Sequence, residues 1–282
     1  MTFTALALLL LVQDPEAHRV GTYAISFKER SPLSDVKELA KRQGWKLDEL
    51  RKKEPEFEKR KIEEESFEVV VPEGYSREKS FGLLVWVSPM ATGSVPDEWL
   101  APLAAREMIA VGAHNSGNDR GVAYRVALAL DAVHNLKALY SIDPKRIYVT
   151  GFSGGGRTAG RLGFTFPDVF AGGLYQGGID FYRGVPDPAD SKREFPPGFV
   201  KPEGSLFSKV KTESRHVIVA GEQDFNRPSC KATFEMMTKR EGFTRASYIE
   251  MPGQPHVWAD TKTFEKALDA LDAPLKSPKP AK

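Results

Sequence analysis

Short apolar segments alternate with amphipathic segments from about residue 66 to residue 272, and this alternation limits the possible fold more than any other feature. The apolar segments end at turn-forming residues, as buried strands do. We predict strands over residues 67–71, 81–87, 108–113, 146–150, 171–176, 215–220 and 247–251. We predict helices over residues 120–140, 154–163, 226–241 and 261–271. Such strands form a mostly parallel, twisted sheet with helices on both faces, which is an α/β fold.

Residues 66–273 are predicted to form one domain, because the alternation runs through them without a break. A chain of 282 residues is otherwise compatible with one large domain or two. Residues 181–210 interrupt the pattern, since they hold five prolines and little periodicity. Long loops inside compact domains are usually functional or mobile, and this one follows a strand end. We therefore predict a short Pro-rich cap or insertion loop there.

The segments that flank this domain differ in character. Residues 3–12 are apolar, too few to span a bilayer but typical of the centre of a signal peptide. We predict a signal peptide over 1–15 and a secreted or periplasmic protein, although no basic residue precedes the run. An apolar N-terminal strand is the alternative. The last residues, 274–282, are predicted to be a disordered tail.

Residues 16–65 are predicted to supply an N-terminal strand and a charged helical segment that packs on the core. Residues 28–65 hold 12 basic and 11 acidic side chains, interrupted by apolar residues at near-helical spacing. Because the two signs nearly cancel, this composition favours a solvated helical face over a charged interaction surface.

The composition excludes several classes of function. Forty Lys and Arg side chains against 38 Asp and Glu give a net charge of +2, which does not favour nucleic acid as a partner. One cysteine, Cys230, excludes an intrachain disulfide framework and a multi-cysteine metal site. The five histidines form no His-Glu-x-x-His motif. We expect no membrane partner, and the oligomeric state is open.

Gly151-Phe152-Ser153-Gly154-Gly155 is the strongest local motif. It fits Gly-x-Ser-x-Gly, follows the predicted strand 146–150 directly and opens a predicted helix, as a nucleophile elbow does. In an elbow, a tight, strained turn lifts the serine hydroxyl out of the sheet edge. The helix N-terminus then offers N–H groups to a developing oxyanion. A Gly-rich turn with a buried serine is the structural alternative.

A serine nucleophile needs a base and an orienting carboxylate, which follow in the order serine, acid, histidine in this fold type. Of the two histidines after Ser153, His216 begins a strand and precedes any plausible acid, whereas His256 follows the strand 247–251. We predict His256 as the base. Asp224, in the loop after the strand 215–220, is the predicted acid, with Glu222 and Asp180 as competitors.

The segments GFSGGGR, PDVFAG, AGEQDFNRP and PGQPH occur in this order and together resemble the α/β-hydrolase fold. More narrowly, they resemble esterases related to polyhydroxybutyrate depolymerases and to the feruloyl and acetylxylan esterases of carbohydrate esterase family one. The resemblance covers roughly residues 66–272. It implies Ser153 as nucleophile, His256 as base and Asp224 as acid, with no metal and no organic cofactor.

The sequence departs from these relatives in the loop that completes the oxyanion hole. Many relatives have His-Gly after the third core strand, where this chain has Val87-Ser88-Pro89-Met90. Because Pro89 has no N–H, we predict Gly154 and Met90 as the two donors, with another residue of the loop 91–94 as the alternative.

These features predict a serine carboxylic ester hydrolase that works through an acyl-enzyme. Its partner would be a small-molecule or oligosaccharide ester, with feruloyl or acetyl esters of plant polysaccharides ahead of polyhydroxyalkanoates. A serine peptidase of the same fold and a non-catalytic binding protein are the alternatives. Aromatic side chains near strand ends could form a substrate wall or simply pack in the core. The candidates for this wall are Phe152, Tyr175, Phe225 and Trp258.

Overall fold

The computed structural model describes residues 18–273. The signal peptide predicted over 1–15 and the tail predicted over 274–282 therefore lie outside the described residues. The strands are β1 (Gly21–Ile25), β2 (Phe67–Val71), β3 (Phe81–Val87), β4 (Met108–Ala113), β5 (Ile142–Phe152), β6 (Gly172–Gln176), β7 (Val185–Asp187), β8 (Asp190–Phe195), β9 (Arg215–Gly221) and β10 (Ala246–Met251). The α-helices are α1 (Val36–Gln43), α2 (Leu47–Lys53), α3 (Leu100–Ala105), α4 (Val122–Leu139), α5 (Gly154–Thr165), α6 (Gly204–Thr212), α7 (Arg227–Glu235) and α8 (Thr261–Asp272).

Eight of the strands form one sheet in the order β1-β2-β4-β3-β5-β6-β9-β10. β2 runs antiparallel to β1 and to β4, and the remaining neighbours are parallel. The predicted mostly parallel sheet is thus confirmed. The carboxyl ends of β3, β5, β6, β9 and β10 meet at one edge, so the loops that follow them are neighbours there.

Side chains of β3 show why the predicted strands are apolar throughout. Leu83, Val85 and Val87 pack into a core on the face covered by α4 and α5. Leu84 and Trp86 point to the opposite face, which α3 and α8 cover. Successive side chains of a strand alternate between the two faces of the sheet, and helices cover both faces here. On the second face Trp99 stacks on Phe264 with ring centroids 4.3 Å apart.

The Pro-rich segment 181–210 has more regular structure than the sequence predicts. β7 and β8 pair as an antiparallel hairpin, and α6 begins at Gly204. The hairpin contacts α7, α6 contacts α5, and Val200 N donates to Gln43 O at the end of α1. The prolines occupy the hairpin and the turns around it, where a missing N–H costs little. A role of this segment as a cap over the site stays a prediction.

The charge-dense N-terminal segment contributes a buried ion pair as well as a solvated face. Arg60 lies 3.5 Å from Asp131 of α4, and both side chains are almost fully buried. Asp131 Oδ1 accepts from Ser34 Oγ over 2.5 Å and from Ser31 N over 2.6 Å, whereas Oδ2 faces Arg60 and accepts no hydrogen bond from residues 18–273. A buried charge needs such partners, and here they attach residues 31–60 to the domain.

No helix within residues 18–273 combines the length and the apolar composition that a membrane span requires.

Candidate active site

Ser153 lies between β5 and α5 in a strained backbone conformation. Its φ is 56° and its ψ is −120°, a region that residues other than glycine rarely adopt. Ser153 N donates to Gln176 O over 2.8 Å, and Arg157 N donates to Ser153 O over 3.1 Å. The strand, the neighbouring strand β6 and the first turn of α5 together hold the turn in this conformation.

Gly155 allows α5 to approach the sheet at this turn. A Cβ added at Gly155 would lie 1.9 Å from the carbonyl oxygen of Val87, at the end of β3. Any side chain there would push α5 away from the strand ends. The glycine two residues after Ser153 therefore has the steric role that the motif requires.

Asp224 and His256 come together at the same edge of the sheet. His256 Nδ1 lies 2.9 Å from Asp224 Oδ2, and neither atom forms a hydrogen bond of ordinary geometry with any of residues 18–273. Catalytic hydrogen bonds are often long or poorly aligned before substrate binds. The Asp224 side chain is fully buried and the His256 side chain is 20% exposed. A buried carboxylate thus meets a ring that still reaches the surface.

Local hydrogen bonds fix the Asp224 carboxylate. Asp224 N donates to Gly221 O over 3.1 Å, which closes a turn after β9. Its Oδ1 accepts from Asn226 N over 2.7 Å, so Oδ2 is the oxygen directed at His256. The Asn226 side chain in turn donates to Gly177 O over 2.8 Å and connects this loop to the end of β6.

The competing acids are occupied elsewhere. Asp180 pairs with Arg157 over 3.3 Å and with Arg161 over 2.8 Å. Glu222 accepts from Gly253 N over 2.8 Å on the outer side of the loop. Of the three acids weighed from the sequence, the structure brings Asp224 to His256.

His216 is a core residue. It is fully buried, with Nδ1 2.9 Å from the Tyr175 hydroxyl and Nε2 2.9 Å from Val210 O. Because the Val210 carbonyl can only accept, Nε2 carries the proton and Nδ1 accepts from Tyr175. Burial lowers the pKa of His216 to about 4, so the ring is neutral near pH 7.

Gly177, which the sequence analysis missed, lies directly against the Asp–His pair. Its φ is +55°, and an added Cβ would lie 3.0 Å from Asp224 Oδ2, 3.0 Å from His256 Cε1 and 2.8 Å from the Phe152 ring. A glycine is needed there both for the backbone conformation and for the space. The Gly-Gly pair after β6 was the available sequence signal.

Three of the four predicted substrate-wall residues lie at the site. Phe152 and Phe225 contact the His256 ring with centroids 4.5 and 4.4 Å away, and Trp258 meets Phe152 edge-on at 5.9 Å. Tyr175 does not lie there: it is fully buried in the core, where its hydroxyl contacts His216. The strand end that carries Tyr175 turns its side chain towards α5, away from the site.

Exposed apolar side chains collect around this edge of the sheet. Among residues 18–273, five large apolar side chains are exposed, and three of them belong to loops at this edge. These are Met90, Phe225 and Val257, at 46, 74 and 39% exposure. Phe225 is the most exposed of the five and packs on the His256 ring. Such a patch is typical of a surface that binds an apolar ligand.

The backbone N–H of Met90, predicted to complete the oxyanion hole, donates to Ser88 Oγ over 3.1 Å. To donate to an oxyanion, the Met90 N–H would have to give up its hydrogen bond to Ser88 Oγ or divide it between the two acceptors. Gly154 begins α5 directly after Ser153, which is where the first donor is expected.

Arg125 of α4, also missed, connects the loops around Ser153. The side chain is buried, and it donates to Ser116 O over 2.9 Å, to Ser88 O over 3.0 Å and to Gly154 O over 3.4 Å. No carboxylate pairs with it among the described residues, and burial lowers its pKa to about 10. One guanidinium therefore holds the carbonyls of two loops and of the first residue of α5 at the edge of the sheet.

No cluster of three or more His, Cys, Asp or Glu side chains within residues 18–273 is arranged to hold a metal ion. Cys230 is buried, and burial raises the pKa of its thiol to about 12, so it is an inert core side chain.

Comparisons with known proteins agree with this architecture. No family model matches the sequence. Among curated proteins, poly(3-hydroxyalkanoate) depolymerase C of Paucimonas lemoignei is 55% identical over 40 residues, which is 14% of this chain and 10% of the depolymerase. The chain therefore matches about a tenth of the length of that relative.

Solved structures resemble the whole domain. A feruloyl esterase module from Clostridium thermocellum, complexed with sinapinate, aligns with a TM-score of 0.55 and 13% identity, over 77% of this chain and 87% of that one. A poly(3-hydroxybutyrate) depolymerase from Bordetella parapertussis aligns with a TM-score of 0.53 and 17% identity, over 76% and 86%. At these identities the likeness shows the fold, and the chain has the α/β-hydrolase fold predicted from its motifs.

Proposed function

We propose that this chain is a serine carboxylic ester hydrolase with Ser153 as nucleophile, His256 as general base and Asp224 as the orienting carboxylate. The observation that carries the proposal is the 2.9 Å approach of His256 Nδ1 to a buried Asp224 oxygen, at the sheet edge where Ser153 has a φ of 56°. A strained serine after a strand and a paired histidine after another strand are the parts that acyl transfer needs.

The geometry supports a two-step reaction. With Nδ1 turned to Asp224, Nε2 of His256 is left to take the proton of Ser153 as its Oγ attacks the ester carbonyl. The Gly154 N–H donates to the oxyanion that forms. When the tetrahedral intermediate collapses, the alcohol leaves with the proton from His256 and the acyl group stays on Ser153. Water then repeats the sequence and releases the acid.

An apolar acyl group is the substrate feature that the site favours. Phe225 is 74% exposed beside His256, and the partly buried Trp258 packs on the buried Phe152 next to it. Ordering an aromatic or alkyl group on such a surface gains hydrophobic free energy. Feruloyl esters of plant polysaccharides therefore come first, with acetyl esters next, and an oligosaccharide fragment is the proposed alcohol part. The likeness to a feruloyl esterase module supports this order.

Depolymerisation of a polyhydroxyalkanoate is the second candidate. The observation in its favour is the 40-residue segment that is 55% identical to a poly(3-hydroxyalkanoate) depolymerase. A hydroxyalkanoate is also an ester of an apolar acyl group, so the same three residues would act on it.

Hydrolysis of p-nitrophenyl acetate and butyrate by the purified chain tests the proposed function. We expect turnover by the wild type and a loss of about 10⁶-fold in kcat for Ser153→Ala, which removes the nucleophile. Thermal unfolding of the variant is the control for folding. Equal activity of the two proteins would contradict the proposal.

Substrate class is tested separately with methyl ferulate, acetylated xylan and hydroxybutyrate oligomers. The highest kcat/KM on methyl ferulate supports the first candidate, and the highest on the oligomers supports depolymerisation. Efficient cleavage of peptide amides with poor ester turnover would instead identify a peptidase of this fold.

A further inference from the structure

The Met90 N–H, predicted as the second oxyanion donor of the proposed reaction, is not free, whereas the Ala91 and Thr92 N–H groups of the same loop form no hydrogen bond with any of residues 18–273. Pro89 has no N–H, and the Met90 N–H donates to Ser88 Oγ over 3.1 Å. Farther along this loop, Gly93 N donates to His114 Nδ1 and Ser94 N donates to Thr92 Oγ1. A tetrahedral oxyanion is normally held by two donors, of which Gly154 N–H is one.

The side chain of Asn118 lies over Gly154. A Cβ added at Gly154 would be 2.1 Å from Asn118 Oδ1 and 3.1 Å from Asn118 Nδ2. Because a Cβ lies about 2.5 Å from its own nitrogen, Oδ1 lies within about 4.6 Å and Nδ2 within about 5.6 Å of the Gly154 nitrogen. The amide thus borders the position that an oxyanion on Gly154 N would occupy.

The Asn118 side chain is free while its backbone is fixed. The side chain is exposed and forms no hydrogen bond with any of residues 18–273. By contrast, Asn118 N donates to Pro89 O over 2.9 Å, and the Ser116 carbonyl is held by Arg125. Gly117 packs so closely on Met90 that an added Cβ would lie 2.6 Å from the Met90 carbonyl carbon. This loop therefore presents one unpaired amide at a defined place.

We propose that the Asn118 side-chain amide is the second oxyanion donor, in place of the Met90 N–H; this rests on the proposed ester hydrolysis at Ser153. Oδ1 is the amide atom nearest to Gly154, and a half-turn about χ2 brings Nδ2 and its two protons there. No proton is transferred. The amide donates one hydrogen bond to the oxygen as the carbonyl becomes tetrahedral, and the bond weakens again when the intermediate collapses.

Opposite exchanges of asparagine and aspartate at two adjacent positions test the proposal. Asn118→Asp keeps the shape but removes both amide protons and adds a negative charge, and Asn118→Ala removes the group without adding charge. Asp119→Asn makes the reverse exchange on the next residue, whose exposed side chain forms no bond with the described residues. All variants are assayed on p-nitrophenyl butyrate and titrated with a trifluoromethyl ketone, which forms an oxyanion on the nucleophile.

We expect kcat to fall by about 10²–10³-fold in both Asn118 variants, with KM within about threefold of the wild type. The Ki of the ketone should rise by a factor similar to the fall in kcat/KM, and Asp119→Asn should leave all three constants unchanged. Complete labelling of Ser153 by a fluorophosphonate at long times shows that the Asn118 variants keep a folded site.

Unchanged kcat and unchanged ketone affinity in both Asn118 variants would overturn this inference and return the role to the Met90 loop. A change in KM alone would also overturn it, because it would place Asn118 on the ground-state substrate. If the wild type neither hydrolyses esters nor labels at Ser153, the proposed function fails instead, so the two failures are distinguishable.

Discussion

The two histidines that follow Ser153 have opposite surroundings, although one lies in β9 and the other in the loop after the adjacent parallel strand β10. His216 is the second residue of β9, at the amino edge of the sheet, and it is fully buried with both ring nitrogens in hydrogen bonds to Tyr175 and Val210. His256 follows β10 at the carboxyl edge, one fifth exposed, with one nitrogen at Asp224. The residue type is the same, so position relative to the strand direction separates a packing histidine from a candidate base.

The difference between the two histidines indicates that the candidate reactive groups of this fold lie at the carboxyl edge of the sheet. At the amino edge, burial lowers the pKa of His216 to about 4 and makes its charged form costly. At the carboxyl edge, loops bring a buried carboxylate, an accessible imidazole and a strained serine together. A general base must be accessible to substrate, and of the two histidines His256 is the one whose side chain reaches the surface.

The largest expected effect separates the two histidines directly. His256→Ala should lower kcat for ester hydrolysis by about 10⁶-fold, because the Ser153 hydroxyl loses its base. His216→Ala should lower thermal stability, since it opens a cavity and leaves the Tyr175 hydroxyl and the Val210 carbonyl unpaired. Activity per folded molecule, normalised by fluorophosphonate labelling, should stay within about threefold for His216→Ala. Equal losses of activity in the two variants would contradict the assignment of His256 as the base and of His216 as a packing residue.

A smaller effect is expected at Gly177, which supports the carboxyl-edge histidine. Gly177→Ala places a Cβ about 3 Å from both members of the Asp–His pair, at a φ unfavourable for alanine. We expect kcat to fall by about 10²-fold, since a displacement near 1 Å at a catalytic group costs that much. Gly253→Ala, also at positive φ but with nothing within 4 Å of an added Cβ, is the matched control for backbone strain. A loss of kcat as large in the control would show that strain alone explains the effect.

The smallest effect concerns pH and the amino-edge histidine. Because the pKa of His216 is about 4 folded and about 6.5 unfolded, only the unfolded chain takes up its proton between these values. The contribution to stability is complete above pH 6.5 and is lost as the pH falls towards 4, by about 3 kcal/mol at most. Urea unfolding of wild type and His216→Gln between pH 7 and pH 4.5 measures it. Glutamine can keep both hydrogen bonds but does not titrate, so its curve should be flatter, and identical slopes would refute the assignment.

Much of this architecture follows from local pattern. The apolar segments predicted β2, β3 and β4 with their observed bounds, and the elbow motif predicted the turn at Ser153. The order of acid and histidine after the serine singled out His256 and left Asp224 as the favoured of three acids, and the fold brings these two residues together. These features depend on sequence neighbours or on the strand direction, which a single sequence reveals.

Other features depend on contacts between distant segments and could not be predicted. The sequence around Gly177 gives no sign of its role, because Asp224 and His256 reach it from the loops after β9 and β10. Arg125 sits in a largely apolar helix, and its partners are backbone carbonyls of two loops and of the first residue of α5. Tyr175 was expected at the site, but the direction of the last residues of β6 sends its ring into the core. Side-chain direction at a strand end depends on register, which motifs do not give.

Fluorophosphonate labelling followed by peptide mass spectrometry tests the central claim, that the carboxyl edge carries a reactive serine activated by His256. The account predicts one adduct per folded chain, on Ser153, with labelling slowed by at least about 10³-fold in His256→Ala and unchanged in His216→Ala. Absence of an adduct on Ser153 in the folded wild type, or equal labelling rates in the two histidine variants, would contradict it.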